Sequence, residues 1–128
     1  MEQELKVLEE QKVDKGLIEA VAEFRAEHKV DERVKNRIIK PDMAFFGKEV
    51  LEMGIATLLK GENLLLTGPK ATGKNILAEN LAWIFARPVY NISFHVNTDS
   101  GDLIGTDTFE NNEVKLRKGS IYRCAEYG

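Results

Sequence analysis

A short apolar run, Leu64-Leu65-Leu66-Thr67, ends in Gly68-Pro69-Lys70-Ala71-Thr72-Gly73-Lys74-Asn75. That loop opens directly into the helical pattern of Ile76, Leu77, Ala78, Glu79, Asn80 and Leu81. It reads G-x-x-x-x-G-K, with Asn75 where the pattern takes Ser or Thr. The spacing has a physical reason. Glycines let consecutive backbone N–H groups turn inward around phosphate oxygens with no Cβ in the way. A helix beginning near Lys74 points the positive end of its dipole at the same anion, and Lys74 adds a full charge within reach of β- and γ-phosphates. Gly68, Pro69, Lys70, Ala71, Thr72, Gly73, Lys74 and Asn75 are therefore the candidate nucleotide-binding residues. The plain alternative is a tight strand-to-helix turn with an exposed lysine. Chance alone would produce the pattern in roughly 3–4% of chains of this length, and requiring an apolar strand before it and a helix after it lowers that rate much further.

With 128 residues, 43% hydrophobic and 30% charged, the chain has the balance of a soluble globular protein. Its net charge of −3 makes no electrostatic case for nucleic acid or an anionic membrane surface. The single cysteine, Cys124, rules out an internal disulfide framework and suits a reducing cytoplasm. No apolar run approaches the roughly 18 residues that a membrane span needs.

Residues 1–40 are dense in mixed charge and form a helical arm. Val13, Leu17, Val21, Phe24 and His28 recur at steps of four and three, one helical face, with His28 as a partly buried continuation of the stripe. Val30, Val34 and Ile38 predict a second helix after a break, with Asp31 as its N-cap and Pro41 beyond its end. The arm either packs on its own domain or serves a partner. Val50, Leu51, Ile55, Leu58 and Leu59 predict the next helix, closed by Gly61, with Phe45-Phe46-Gly47 as a hydrophobic entrance.

After the loop, Leu77, Leu81 and Ile84 make a core stripe, with Ile76, Asn80 and Trp83 near its edges. Val89-Tyr90-Asn91-Ile92-Ser93-Phe94 alternates as a strand. Thr98, Asp99 and Ser100 offer caps for a short helix over 101–104, closed by Gly105. His95 stands near Asn97 and Asp99, but without a second His or a Cys close by it reads as structural, not as a metal ligand. Two alternating runs, Thr106-Asp107-Thr108-Phe109 and Val114-Lys115-Leu116-Arg117, flank a turn at Asn111-Asn112 and predict a hairpin. Ser120 then starts a helix through Tyr127, with Gly128 as its C′ residue.

From Phe46 to Gly128 the chain resembles the front part of an AAA+ ATPase module, in the MoxR-like and dynein-related branch whose second helix is interrupted by a β-hairpin. The loop at 68–75 is similar to the Walker A motif. The run at 89–94 followed by Asp102-Leu103-Ile104-Gly105 resembles that branch's second strand and its D-L-x-G segment, and the hairpin followed by Lys118-Gly119-Ser120-Ile121 resembles the insert and the return into helix two. The resemblance covers about two-thirds of the chain and leaves the arm out.

It implies an α/β fold: part of a P-loop three-layer core, with a β-hairpin insert, the N-terminal helical arm at 1–40, and an AAA+ portion at 41–128. It also implies ATP and Mg²⁺ as cofactors, a homo-oligomeric ring, and a protein substrate or partner in chaperone or remodelling work. Two departures go with it. Asn75 replaces a magnesium-binding hydroxyl by an amide oxygen, a hard ligand one bond further out. No residue matches the Walker B acidic pair, so no catalytic base is assigned, and the sheet is expected to be incomplete in what is expected to be a piece of a longer protein. The rival functions are a non-enzymatic helical interaction module with a relic phosphate loop, and a small P-loop phosphotransferase.

Overall fold

Four α-helices are brought together by one apolar cluster, with a turn of 3-10 helix between the second and the third, and a hairpin bracketed by two further helices follows. The computed structural model describes residues 2–94, 100–110 and 113–127. In chain order these are α1 (Glu2–Glu10), α2 (Lys15–Glu27), a 3-10 helix (Glu32–Arg37), α3 (Lys48–Leu59) and α4 (Lys74–Ile84). Then come α5 (Ser100–Leu103), β1 (Gly105–Glu110), β2 (Glu113–Lys118) and α6 (Ser120–Tyr127).

Local chemistry sets the ends of these elements. The Asp14 carboxylate accepts from the Gly16 and Leu17 amides and starts α2. Asp31 accepts from the Arg33 amide and starts the 3-10 turn. Past the end of α3, Gly61 adopts a left-handed φ of 75° and donates its N–H to the Leu58 carbonyl, closing the helix as its sequence position suggests.

The core is the place where α1, α2, α3 and α4 meet. Leu8, Val21, Leu51, Ile55, Leu81 and Ile84 are at most 2% exposed and lie in one cluster with Leu5, Val13, Ile18, Leu77 and Phe85. Burying side chains of this kind is worth about 1.5–3 kcal/mol each, so this cluster is the main stabilising feature. The arm's helices therefore share their apolar faces with α3 and α4. Leu5 and Leu8 extend the stripe upstream of Val13, where the sequence pattern was not followed. Phe24 meets Phe85 edge-on at 5.2 Å between ring centroids, and Arg25 reaches Glu4 at 3.4 Å across α1 and α2.

Several expectations are corrected. The fold is mainly helical and is not an α/β three-layer core: among the described residues the only sheet is the antiparallel pair β1–β2, with Gly105 opposite Lys118 and Glu110 opposite Glu113. The run at 64–67 is not a strand, and neither is 89–94. Both are extended segments with no neighbouring strand among the described residues, and Leu65 and Phe94 are 86% and 70% exposed. The reason is elementary. A strand's backbone groups are satisfied by another strand, and where none lies alongside no ladder forms; Val89 instead donates its N–H to the Arg37 carbonyl at 3.1 Å.

The segment after Asp31 is 3-10, not α, and only Val34 of its apolar residues is buried. His28 is exposed, stacked on Phe24 at 4.2 Å, and does not extend the buried stripe. Asn80 is not at an edge: it is 2% exposed, its Nδ2 donating to the Met43 and Ile76 carbonyls at 2.9 and 2.8 Å. His95, Asn97, Thr98, Asp99, Asn111, Asn112 and Gly128, with the roles expected of them, lie outside the described residues.

Candidate functional site

The 68–75 loop gets its shape from three backbone positions. Gly73 caps α4 with φ 88° and ψ 17°, a left-handed conformation that a Cβ disfavours. Gly68 has φ 155°, and Ala71, which does carry a Cβ, still sits at φ 59°. A non-glycine residue in that region costs of order 1 kcal/mol or more and persists only where its surroundings impose it. The alternation turns the chain sharply, so that α4 begins at Lys74 with its first turn open to solvent.

The lysine closes the turn. Lys74 Nζ donates to the carbonyl oxygens of Gly68 and Pro69 at 2.5 and 2.6 Å, and Thr72 Oγ1 donates to the same Pro69 carbonyl at 2.9 Å. Two of the ammonium's three protons are thus used within the loop and one is left for a ligand. An open depression of about 430 Å³ is lined by Lys70, Ala71, Thr72, Gly73, Lys74, Asn75 and Ile76. The structure thereby groups Lys70 through Asn75 in one concavity, and ties Gly68 and Pro69 to it through Lys74.

The donor set fits a phosphate. It offers a lysine ammonium, left-handed backbone turns, the N-terminus of an eleven-residue helix and a threonine hydroxyl, with no carboxylate among its lining residues. Magnesium suits the site only in company with phosphate. Asn75 is exposed and its amide oxygen is one hard ligand, whereas no group of three or more His, Cys, Asp or Glu is found among the described residues. Magnesium commonly binds through one or two protein oxygens, phosphates and retained waters.

Residues that sequence reading did not single out hold the loop from behind. Gln11, in the turn after α1, donates its Nε2 to the Phe45 carbonyl at 2.7 Å, and its Oε1 accepts from the Gly47 amide at 3.1 Å. One side-chain amide thus fixes both ends of the Phe45-Phe46-Gly47 entrance. The Phe45 ring lies against Gly73, where an added Cβ would come within 3.7 Å of its Cε2. Asn80, bonded to the Met43 carbonyl, pins the same segment from α4. A chain of contacts therefore runs from the arm through Gln11 and Phe45 to the loop. No local sequence signal marks Gln11, because its two bonds span 34 and 36 residues.

Comparison with known proteins adds relatives of undefined role. The chain is 39% identical over 83 residues to the uncharacterized protein YojN of Bacillus subtilis, covering 62% of this chain and 27% of that protein. It is 30% identical over 80 residues to an uncharacterized protein of Staphylococcus haemolyticus, covering 62% and 28%, and 40% identical over 52 residues to one from Staphylococcus saprophyticus, covering 41% and 20%. The chain spans about a quarter of the length of these curated relatives. No protein-family profile matches it, and no solved structure does. Among the described residues, no helix is long and apolar enough to cross a membrane.

Proposed function

We propose that the 68–75 loop binds the β- and γ-phosphates of ATP. On this reading the chain is the nucleotide-binding part of a longer AAA+-type, MoxR-like ATPase of the chaperone or remodelling kind. That protein acts in the cytoplasm, as a homo-oligomeric ring on a protein substrate. The observation that carries the reading is the closure of Lys74 over the turn at the open end of α4, which places a cation and a helix N-terminus on one concavity.

The division of roles follows from the residues. Lys74 and the backbone N–H groups from Ala71 to Asn75 hold phosphate oxygens, and Asn75 stands on the metal side. Magnesium, when bound, neutralises phosphate charge. This chain contributes the binding and orientation of the nucleotide, and the group that activates water belongs elsewhere in the longer protein. The rival reading, an interaction module whose arm captures a partner, gains nothing from the packing, because Leu5, Leu8 and Val21 are turned into the protein's own core.

Calorimetric titration with Mg·ATP tests the assignment. Lys74→Ala is expected to weaken binding by about tenfold or more, the scale of one charge-assisted hydrogen bond. Equal affinity in the variant would overturn the reading. Asn75→Thr restores a hydroxyl at the metal position and is expected to tighten Mg·ATP binding relative to ATP with chelator. No change would remove Asn75 from the metal's side of the site.

A further inference from the structure

A second cavity, of about 600 Å³, lies between the 3-10 helix, the segment at Tyr90 and the start of α6. Arg37, Arg117, Lys118 and Arg123 all line it, beside Tyr90 and Ser120, and no carboxylate does among the described residues. For a chain of net charge −3 this is a marked local excess of cations.

The four are not equivalent. Lys118 is already compensated: its Nζ meets both Glu126 carboxylate oxygens, at 2.7 and 3.0 Å, and that carboxylate raises its pKa. Arg37 donates to the Val89 carbonyl at 3.3 Å and lies over the Tyr90 ring at 4.4 Å, contacts that orient its guanidinium without neutralising it. Arg117 and Arg123 are exposed, and neither guanidinium has an ion-pair or hydrogen-bond partner among the described residues. Three guanidiniums with no carboxylate partner among the described residues therefore line one cavity. In the same wall, the Tyr90 hydroxyl is buried with no hydrogen-bond partner among the described residues, an arrangement that normally costs free energy unless something satisfies it.

Close packing makes the site a built one. Gly119 sits between Lys118 and Ser120 and donates its N–H to the Ile104 carbonyl at 2.8 Å. A Cβ there would collide with the Leu103 carbonyl. Only glycine allows β2 to turn this tightly into α6, and the turn carries Arg117 and Arg123 to the same cavity.

Guanidinium forks suit phosphate oxygens, and several in one cavity suit a ligand with several phosphates. The volume falls within the range of small-molecule pockets and exceeds what one phosphate fills. We propose that this cavity binds a small molecule carrying two or more linked phosphates, held by Arg37, Arg117 and Arg123. The site shares no lining residue with the 68–75 loop and stands whether or not that loop takes nucleotide.

The experiment uses the full chain carrying Lys74→Ala, so that the loop's own lysine does not contribute. Calorimetric titration with inorganic triphosphate is expected to show one saturable site that weakens as salt rises. Arg117→Gln and Arg123→Gln should each lower the affinity by about tenfold, the worth of a charge-assisted bond, and the pair together should abolish it. Both side chains are exposed, so an unchanged thermal melt is expected alongside. A parallel ATP titration separates the two sources of the same chemistry: competition with triphosphate assigns a nucleotide, and exclusion of ATP assigns a base-free polyphosphate. Absence of triphosphate binding, or binding that neither arginine substitution weakens, overturns the proposal.

Discussion

The two flanks of the 68–75 loop share an apolar sequence and differ in almost everything else. On one side, Leu77, Leu81 and Ile84 of α4 are each at most 4% exposed. On the other, Leu65 is 86% exposed, and of the run before the loop only Leu66 packs against the core. Leucines do not bury themselves by being leucines. A helix closes its hydrogen bonds within its own eleven residues and can then offer one face to α3, whereas an extended run needs a second strand before its backbone is satisfied. Both flanks carry large apolar side chains, and hydrogen-bond closure is what separates them.

A matched pair of substitutions separates the two flanks most strongly. Leu81→Ala is expected to destabilise the chain by about 2–5 kcal/mol through a cavity between α3 and α4, whereas Leu65→Ser should fall within about 0.5 kcal/mol of the parent. Urea unfolding measures both. A comparable loss at Leu65 would mean that its flank is as well packed as α4.

A smaller effect belongs to the clamp behind the loop. Gln11→Ala strips the Phe45 carbonyl and the Gly47 amide of their side-chain partner in a half-buried place, at a cost of about 1–2 kcal/mol. Amide exchange at Gly47 should accelerate while exchange in the middle of α2 stays slow. Equal acceleration in both would show that Gln11 supports the whole body and not the loop's entrance in particular.

The smallest effect lies at the surface, where Arg33 holds the Asp31 carboxyl at about 2, through its side-chain hydrogen bonds first and its backbone amide second. The folded value is below the ordinary 3.8, so whatever stability the pair contributes is fully present above that pH and is lost as pH falls toward 2. A carboxyl-carbon NMR titration should find the midpoint near 2, and a midpoint near 3.8 would dissolve the cap pair. Such a surface effect, set against the core substitution, sharpens the scale on which the two flanks differ.

The same physics explains what the sequence discloses. The helices at α2, α3 and α4 are legible because their apolar period, and for α3 the closing Gly61, are encoded within a few residues of one another. The hairpin was legible too, since its two strands supply each other's bonds. The α/β class was not, because recognising a strand in 64–67 says nothing about whether a neighbour will lie beside it. Asn80 falls beside the Leu77, Leu81 and Ile84 stripe by its spacing, and its burial depends on the Met43 and Ile76 carbonyls that converge on it. In the candidate site, the turn, Gly73 and the start of α4 at Lys74 could be read directly. The clamp from Gln11 could not, since nothing local distinguishes that glutamine from any other polar residue in the arm.

Lys74 already spends two bonds on the carbonyls of its own loop. An anion arriving there meets the one proton left over and gains a further bond only by displacing a carbonyl. Each carbonyl contact surrendered offsets part of what a phosphate contact contributes. The loss of affinity in Lys74→Ala, and not the size of the heat, is therefore the quantity that reports on this loop.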